Sequence, residues 1–237
     1  MDIAPAAKTV DDIYYEVAKP GSLSERVMIM ARDAIYETFM RRHPLRAADS
    51  IVDVGVSDVI TNGDNMIERK YPHPSAITAA GLGDGHQFRS TFPEINYVRV
   101  EPGAPLPFAD RQFRIAVSNA VLEHVGSLAA QQAFTEDLVR VADEVFLTVP
   151  NRYFFVEHHT LFPFIHWMDW SFGLACRALG KAKWSRRETL ILMSAARLRQ
   201  IALNLSVPAD WTVGTTGLAF GPCSSNLFLS IKRKPAA

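Results

Sequence analysis

Cysteine and net charge are both scarce in this chain. Its 237 residues include only two cysteines, Cys176 and Cys223. This excludes a framework of disulfide bonds and leads us to expect a reduced, cytoplasmic setting. Lysine plus arginine equals aspartate plus glutamate at 25 each, which leaves no overall field to attract nucleic acid. We therefore expect no nucleic-acid partner.

The sequence also lacks a long apolar run. Its longest, residues 161–179, is interrupted by a histidine and two charged side chains, so we do not expect it to span a bilayer. The amino terminus has acidic residues where a signal peptide needs basic ones and an apolar core. We expect residues 1–20 to form a flexible leader and residues 21–237 to form one domain, because this length suits a single α/β core.

Short runs of β-branched and apolar residues alternate with helical stretches between residues 50 and 150. Such alternation indicates a parallel sheet with right-handed crossovers and helices on both faces. The predicted parallel strands are 51–56, 76–80, 97–100, 114–118 and 144–149. Two later runs, 211–213 and 226–231, have no helix between them, which predicts an antiparallel pair of strands at the end of the sheet. Residues 221–226 are predicted to be the turn leading into the last strand.

Two predicted helices begin at capping sequences. Residues 22–25 have the spacing of a capping box, in which a hydroxyl and a carboxylate each accept from a backbone amide at the helix start. This helix is expected to end before Pro44. The same spacing recurs at residues 84–87, so Asp84 is predicted either to cap the next helix or to bind a ligand. The other predicted helices are 65–70, 85–91 and 127–142.

The most informative segment is residues 106–125, which read LPFADRQFRIAVSNAVLEHV. Together with Asp53 and Gly55 after the first strand, it resembles the type 11 methyltransferase domains, in which LPF precedes a strand that ends in S-N-x-V-L-E-H-V. The resemblance covers about residues 45–155. It implies a Rossmann-like class I methyltransferase fold with a mainly parallel seven-stranded sheet, and S-adenosylmethionine as the cofactor.

The resemblance also implies a cofactor site at the carboxyl ends of the parallel strands, where open α/β sheets bind their ligands. Asp53 and Gly55 are expected at the methionine end of the cofactor, and Asp84 at the ribose. The full set of expected cofactor residues is Asp53, Val54, Gly55, Gly81, Leu82, Asp84, Glu101, Asn119, Ala120 and Val121. The last three of these are expected beside the transferring methyl group.

Four positions depart from the family pattern. The glycine-rich turn keeps only its first glycine, Gly55, and the aspartate of the family's FD pair is an arginine here. Gly81 and Pro102 stand where the family has acids that hold the ribose and contact the adenine. Losing both acids without replacement would weaken binding by about 3–6 kcal/mol, at about 1.5–3 kcal/mol for each hydrogen bond to a charged group. Either Asp84 and Glu101 replace these acids, or the crevice binds the cofactor poorly.

Histidines follow the fourth and fifth predicted strands. His124 comes directly after the fourth, and His158 and His159 come after the fifth, so any of them could act as a general base for an acceptor that must lose a proton. His124 is equally compatible with a structural pairing beside Glu123. The spacing of the histidines and acids matches no strong metal-ligand pattern, so no metal is expected.

Residues 153–172 contain eight aromatic side chains, within a predicted aromatic-rich cap over residues 151–190. We expect these side chains to pack over the sheet and to form part of an acceptor pocket. The alternative is a surface that contacts membrane lipid without spanning the bilayer. The expected acceptor is a small molecule or a lipid-linked or glycosyl-linked molecule.

Two functions of different classes fit these observations. The first is methyl transfer from S-adenosylmethionine. The second, which the four departures favour, is a methyltransferase-like protein without catalysis that acts as a binding or assembly partner. A nicotinamide dehydrogenase is disfavoured, because Ser57 and Ile60 stand where its G-x-G-x-x-G turn needs glycines.

Overall fold

Seven strands form a single sheet in this computed structural model, which describes residues 21–234 except residue 187. The strands are β1 (Ile51–Val54), β2 (Ile77–Gly81), β3 (Asn96–Arg99), β4 (Phe113–Asn119), β5 (Ala142–Pro150), β6 (Ala209–Phe220) and β7 (Cys223–Arg233). Their order across the sheet is β3-β2-β1-β4-β5-β7-β6. The leader predicted over residues 1–20 lies outside the described residues.

The first five strands are parallel, and β7 runs antiparallel to both β5 and β6. The predicted fold class is therefore confirmed. Strand order reverses at β1, which pairs on one side with β2 and on the other with β4. Asp53 lies at this reversal, opposite Ala79 of β2 and Val117 of β4. A crevice for a ligand is expected above such a point.

Six helices surround the sheet among the described residues: α1 (Leu23–Arg42), α2 (Met66–Lys70), α3 (His86–Thr91), α4 (Leu128–Val141), α5 (Asp169–Ala178) and α6 (Ala195–Leu203). The capping box at the start of α1 is confirmed. The hydroxyl of Ser22 accepts from the Glu25 amide at 3.2 Å, and the Glu25 carboxylate accepts from the Gly21 amide at 2.6 Å. The helix ends before Pro44, as predicted.

The alternation of side chains in β1 divides the core into two layers. Val52 and Val54 point to one face of the sheet, where they pack with apolar residues of α4 and α6. Ile51 points to the opposite face and packs with residues of α1, α2 and α3. Helices on both faces therefore bury both sides of the central strands, which accounts for their continuously apolar sequences.

The turn predicted at residues 221–226 is too long, because β7 already begins at Cys223. Cys223 pairs with Phe220 and Ser224 pairs with Ala219, so the hairpin is tight and both of its strands are longer than predicted. A bulge interrupts the register between Thr216 and Ala219. Pairing with two neighbouring strands outweighs the weak strand preference of the serines in this segment.

The segment between β5 and α6 contains α5 and has a small core of its own. Phe172, Cys176, Trp184 and Leu190 are buried together there. The backbone amide of Ile191 donates to the carbonyl of Glu123 at 2.8 Å, which ties this segment to the loop after β4. None of the helices in the described residues combines the length and the apolar character needed to cross a membrane.

Burial of β5 predicts a large difference between two identical substitutions. Leu147 of β5 is fully buried, whereas Leu203 at the end of α6 is 70% exposed. We expect Leu147→Ala to lower the free energy of unfolding by about 2–5 kcal/mol, and Leu203→Ala to change it by less than about 0.5 kcal/mol. Urea denaturation of both variants measures this difference, and equal effects would contradict the described position of β5.

Candidate functional site

The loop after β4 closes onto the loop after β1 at the carboxyl edge of the sheet. The Ser118 hydroxyl donates to the Val54 carbonyl at 2.9 Å, and the Ala120 amide donates to the Thr148 carbonyl at 2.9 Å. Ala120 has a φ of +57°, a left-handed conformation that is unfavourable for a residue other than glycine. This backbone turn places Val121 beside Gly55.

Gly55 is required at its position for two reasons. Its φ of +99° is accessible to glycine alone, and a Cβ there would overlap the side chain of Val121. Asn119 lies in the same loop, where its side-chain oxygen accepts from the Thr148 hydroxyl at 2.6 Å. The structure therefore brings Gly55 together with Asn119, Ala120 and Val121, and Val121 fills the space closest to the glycine.

Asp53 and Glu68 form a pair of buried acids beneath this loop. Asp53 is the third of the four residues of β1, and Glu68 lies on α2, which packs on the same face of the sheet. Burial and the neighbouring Glu68 raise the pKa of Asp53 well above its usual range, and burial raises the pKa of Glu68 to about 7. Neither oxygen of the Glu68 carboxylate has a hydrogen-bond partner among the described residues. The site therefore contains two buried acids, of which Glu68 is only partly compensated by the charge of Arg69.

The end of β2 is closely packed by Tyr97 of β3. A Cβ at Gly81 would lie 2.6 Å from the Tyr97 hydroxyl and 2.9 Å from the Val56 carbonyl. The Tyr97 hydroxyl donates to the Gly83 carbonyl at 2.8 Å. No larger side chain fits at position 81, so the glycine found there follows from the packing. Leu82, the next predicted site residue, is partly buried in the same loop.

Asp84 and Glu101 are both exposed and share one partner. Arg99 of β3 forms an ion pair with Asp84 at 2.7 Å and approaches Glu101 at 3.6 Å. The prediction that Asp84 caps a helix is wrong, because the N-cap residue of α3 is Gly85. The side chain of Asp84 bonds to Arg99 instead. The two acids reach the same side of the crevice, held by a single guanidinium group.

Asp58, which sequence reasoning missed, caps α3 instead. Its carboxylate accepts from the amides of His86 at 3.2 Å and Phe88 at 2.9 Å, although it follows β1. In the same loop, the side chain of Asn65 bonds to both the amide and the carbonyl of Ser57 at 3.1 Å and 3.0 Å. Polar side chains therefore order the loop in which the family motif has glycines. The polar residues that replace those glycines were the feature of the sequence that could have indicated these contacts.

Two of the three predicted catalytic histidines come together. The Nε2 atoms of His124 and His159 are 3.3 Å apart, and the ring of Trp184 packs against both. The Nδ1 atom of His124 lies 2.7 Å from the Thr189 carbonyl, and that of His159 lies 2.8 Å from the Glu157 carboxylate. Each imidazole is therefore fixed in orientation by its Nδ1 contact.

Burial determines the electrostatics around this histidine pair. Burial and then the charge of His159 lower the pKa of His124 to about 4, and burial raises the pKa of Glu123 to about 7. Burial alone would raise the pKa of Glu157, but the hydrogen bond and charge of His159 outweigh it and lower that pKa to about 2. His158 does not join the pair, since its side chain is exposed and its ring lies against Phe154.

Comparison with solved structures defines the fold. A magnesium protoporphyrin IX methyltransferase of Synechocystis, solved with bound S-adenosylhomocysteine, has a TM-score of 0.58 at 11% identity, over 94% of this chain and 91% of that one. A SAM-dependent methyltransferase of Thermotoga maritima also has a TM-score of 0.58 at 11% identity, over 90% and 92%. The chain has the class I methyltransferase fold.

A SAM-dependent methyltransferase of Mesorhizobium loti extends the similarity, with a TM-score of 0.55 at 14% identity over 85% of this chain and all of that one. No protein-family model and no curated protein sequence matches the chain. At these levels of identity the class I methyltransferase fold is shared, whereas individual site residues have to be judged from their own geometry.

The two acids near α3 predict different effects on stability. We expect Asp58→Ala to lower the free energy of unfolding by about 0.5–2 kcal/mol, because it removes the carboxylate that caps the helix. Asp84→Ala removes only an exposed ion pair, so we expect a loss of at most about 1 kcal/mol. Chemical denaturation of the two variants measures both values. A larger loss for Asp84→Ala than for Asp58→Ala would contradict the described capping.

Proposed function

We propose that this protein transfers a methyl group from S-adenosylmethionine to a small-molecule or lipid-linked or glycosyl-linked acceptor. The observation that carries the proposal is the convergence of Asp53, Gly55 and the loop 119–121 at the point where strand order reverses. Ligands of open α/β sheets bind above this point. The LPF and LEHV motifs support placing the chain with the type 11 methyltransferase domains.

The methionine end of the cofactor fits the acids below the crevice. S-adenosylmethionine carries a sulfonium and an ammonium group, and Asp53 and Glu68 are buried acids whose pKa values are both raised. Attraction between opposite charges is strengthened where water is excluded. Asp53 is therefore the proposed ligand of the cationic end, with Val54 and Gly55 providing the adjacent backbone.

To bind the adenosine end of the cofactor, the two acids that now contact Arg99 would have to leave this arginine. Asp84 is the proposed ribose ligand and Glu101 the proposed neighbour of the adenine, and both contact this arginine. Exposed ion pairs contribute only about 0–1 kcal/mol, so transferring these carboxylates to ribose hydroxyls costs little. Gly81 and Leu82 would provide backbone contacts between the two ends.

The protein's own contribution to the reaction is positioning. The bound cofactor supplies an electrophilic methyl group, and the loop 119–121 would hold it in line with the acceptor. His124 and His159 lie just beyond this loop, where they would face an acceptor that must lose a proton. His158 remains a proposed catalytic residue only if the 151–190 segment turns its side chain inward.

A cavity of about 990 Å³, lined in part by the Trp184 that packs against both histidines, is the proposed acceptor site. Trp170, Phe172 and Leu174 line it together with charged residues of both signs, which suits an amphipathic acceptor: Arg152, Arg177, Arg197, Asp169 and Glu188. Large apolar side chains are exposed nearby: Leu161, Phe164, Trp167, Met168, Trp170 and Leu174. This surface supports a lipid-linked acceptor and contact of residues 153–172 with lipid.

The proposal includes the organisation of the chain. Residues 21–237 would form one domain in which 151–190 is a cap over the acceptor. Cys176 and Cys223 are free thiols, which supports a cytoplasmic location.

A protein without catalysis that acts as a binding or assembly partner is the second candidate function. Val121 fills the space beside Gly55, and Tyr97 packs against the end of β2 where the family has a carboxylate. The side chains of Asp58 and Asn65 accept from backbone amides, so the loop after β1 is ordered without a ligand. These contacts favour a crevice that is closed by its own side chains.

Calorimetric titration with S-adenosylmethionine and S-adenosylhomocysteine separates the two candidates. We expect the wild-type protein to bind both, and the Asp84→Asn/Glu101→Gln double variant to bind S-adenosylhomocysteine at least about tenfold more weakly, since each lost hydrogen bond to a charged group contributes about 1.5–3 kcal/mol. Asp110→Asn is the matched control, because this exposed acid pairs with Arg140 away from the crevice. No heat from the wild-type protein at millimolar ligand would support the second candidate.

Affinity for S-adenosylmethionine is expected to rise with pH. The raised pKa of Asp53 means that its ionised form, which attracts a cation, is populated only as the pH increases through that value. Glu68→Gln removes a negative neighbour, lowers the pKa of Asp53 and should move the rise to lower pH, whereas Glu94→Gln on the surface should leave it in place. Asp53→Asn should give weak binding at every pH. Calorimetry across a pH series measures these curves, and an unchanged profile in Asp53→Asn would refute the role of this acid.

A further inference from the structure

Three side chains next to the crevice present ligand atoms to one another. Glu123, His124 and His159 each offer an atom, and these atoms lie within 4.8 Å of one another. We propose that they bind a divalent transition-metal ion, with Zn²⁺ as the preferred ion. The sequence predicts no such site, because the ligands lie on two segments that only the fold brings together.

The Nδ1 contacts of the two histidines determine which nitrogen carries the hydrogen. His124 Nδ1 faces the Thr189 carbonyl, and His159 Nδ1 faces the Glu157 carboxylate. Both partners accept hydrogen bonds, so each Nδ1 is the donor and, in the neutral ring, each Nε2 presents a lone pair. Histidines that bind metals are commonly oriented by such carboxylate and carbonyl partners.

The distance between the two Nε2 atoms suits a shared ion. They are 3.3 Å apart, which is hydrogen-bonding distance when one of the two rings is protonated at Nε2, and a metal ion would take the place of that proton. Zinc binds imidazole nitrogen at about 2.0–2.1 Å, and tetrahedral coordination then places two ligands about 3.3–3.4 Å apart. The geometry of the pair therefore matches two adjacent vertices of a zinc site.

Glu123 supplies an independent observation. Its side chain is 1% exposed, and neither carboxylate oxygen has a hydrogen-bond partner among the described residues. Burial disfavours the ionised form of this carboxylate, and a bound cation would stabilise it. Glu123 thus provides the third ligand of a two-histidine, one-carboxylate set.

Room for a further ligand lies beside the acid. Glu123, Glu157, His159 and His166 line a cavity of about 10 Å³, which is the size needed by one water molecule. A site with three protein ligands and one water is the arrangement found in catalytic rather than structural zinc sites. The ion would lie beside the turn that follows Val121, and with the ion bound His124 and His159 would act as its ligands and not as general bases.

Metal binding is testable without any assay of methyl transfer. The full-length protein would be treated with a chelator, dialysed and titrated with Zn²⁺ by calorimetry. We expect one equivalent to bind, and Glu123→Gln and His159→Asn each to weaken binding at least about tenfold. Glu157→Gln keeps all three ligands but disturbs the orientation of His159 and the turn at Thr160, and should weaken binding by about 10–100-fold. His86→Asn is the matched control, since it removes an exposed imidazole of α3 that offers no ligand atom to this group.

Folding and ligand identity need separate readouts. Circular dichroism of each metal-free variant establishes that it folds, and Zn²⁺ should raise the melting temperature of the wild type and of His86→Asn more than that of the variants that bind it weakly. Co²⁺ substitution should give an absorption spectrum without thiolate charge transfer. Absence of zinc uptake, or uptake that survives both Glu123→Gln and His159→Asn, would overturn the proposal; the latter would place the ion elsewhere, for example at Cys223.

Discussion

The contact of Val121 with Gly55 is the constraint on which the candidate site depends. It holds the loop after β4 against the loop after β1, and it requires a left-handed Ala120 on one side and a glycine on the other. The strain in Ala120 is offset by the bonds from Ser118 to Val54 and from the Ala120 amide to β5. The histidine pair is positioned from this junction, because the turn containing Glu123 and His124 begins directly after it.

The class I methyltransferase fold was predictable because its signals are local and repeated. The alternation of buried strands with helices, and the unbroken LPF to LEHV segment, predict the order and direction of the strands. The strand ends were less predictable, because pairing with neighbours extends β6 and β7 beyond their apolar runs. The ends of these strands depend on residues that are distant in the sequence, and a local sequence pattern does not include those residues.

The candidate site was predictable in its location and less so in its contacts. Asp53, Gly55 and Asn119 lie where their positions after β1 and β4 predict. Asp58 and Tyr97 were missed, because their partners are about 30 and 14 residues away in the sequence and only the fold brings them together. The pairing of His124 with His159, 35 residues apart, is of the same kind. Geometry at a site formed from several loops is a property of the tertiary structure.

The bulge in β6 has a consequence for association between molecules. β6 is the outer strand of the sheet and spans twelve residues, a length that would ordinarily offer a template to a strand from another copy. Gly217, with a φ of +78°, lies within the irregular stretch, and the Thr216 hydroxyl beside it bonds to Thr38 of α1. The ladder of outward amides and carbonyls is thus broken and partly covered by a helix, which protects the sheet against edge-to-edge aggregation.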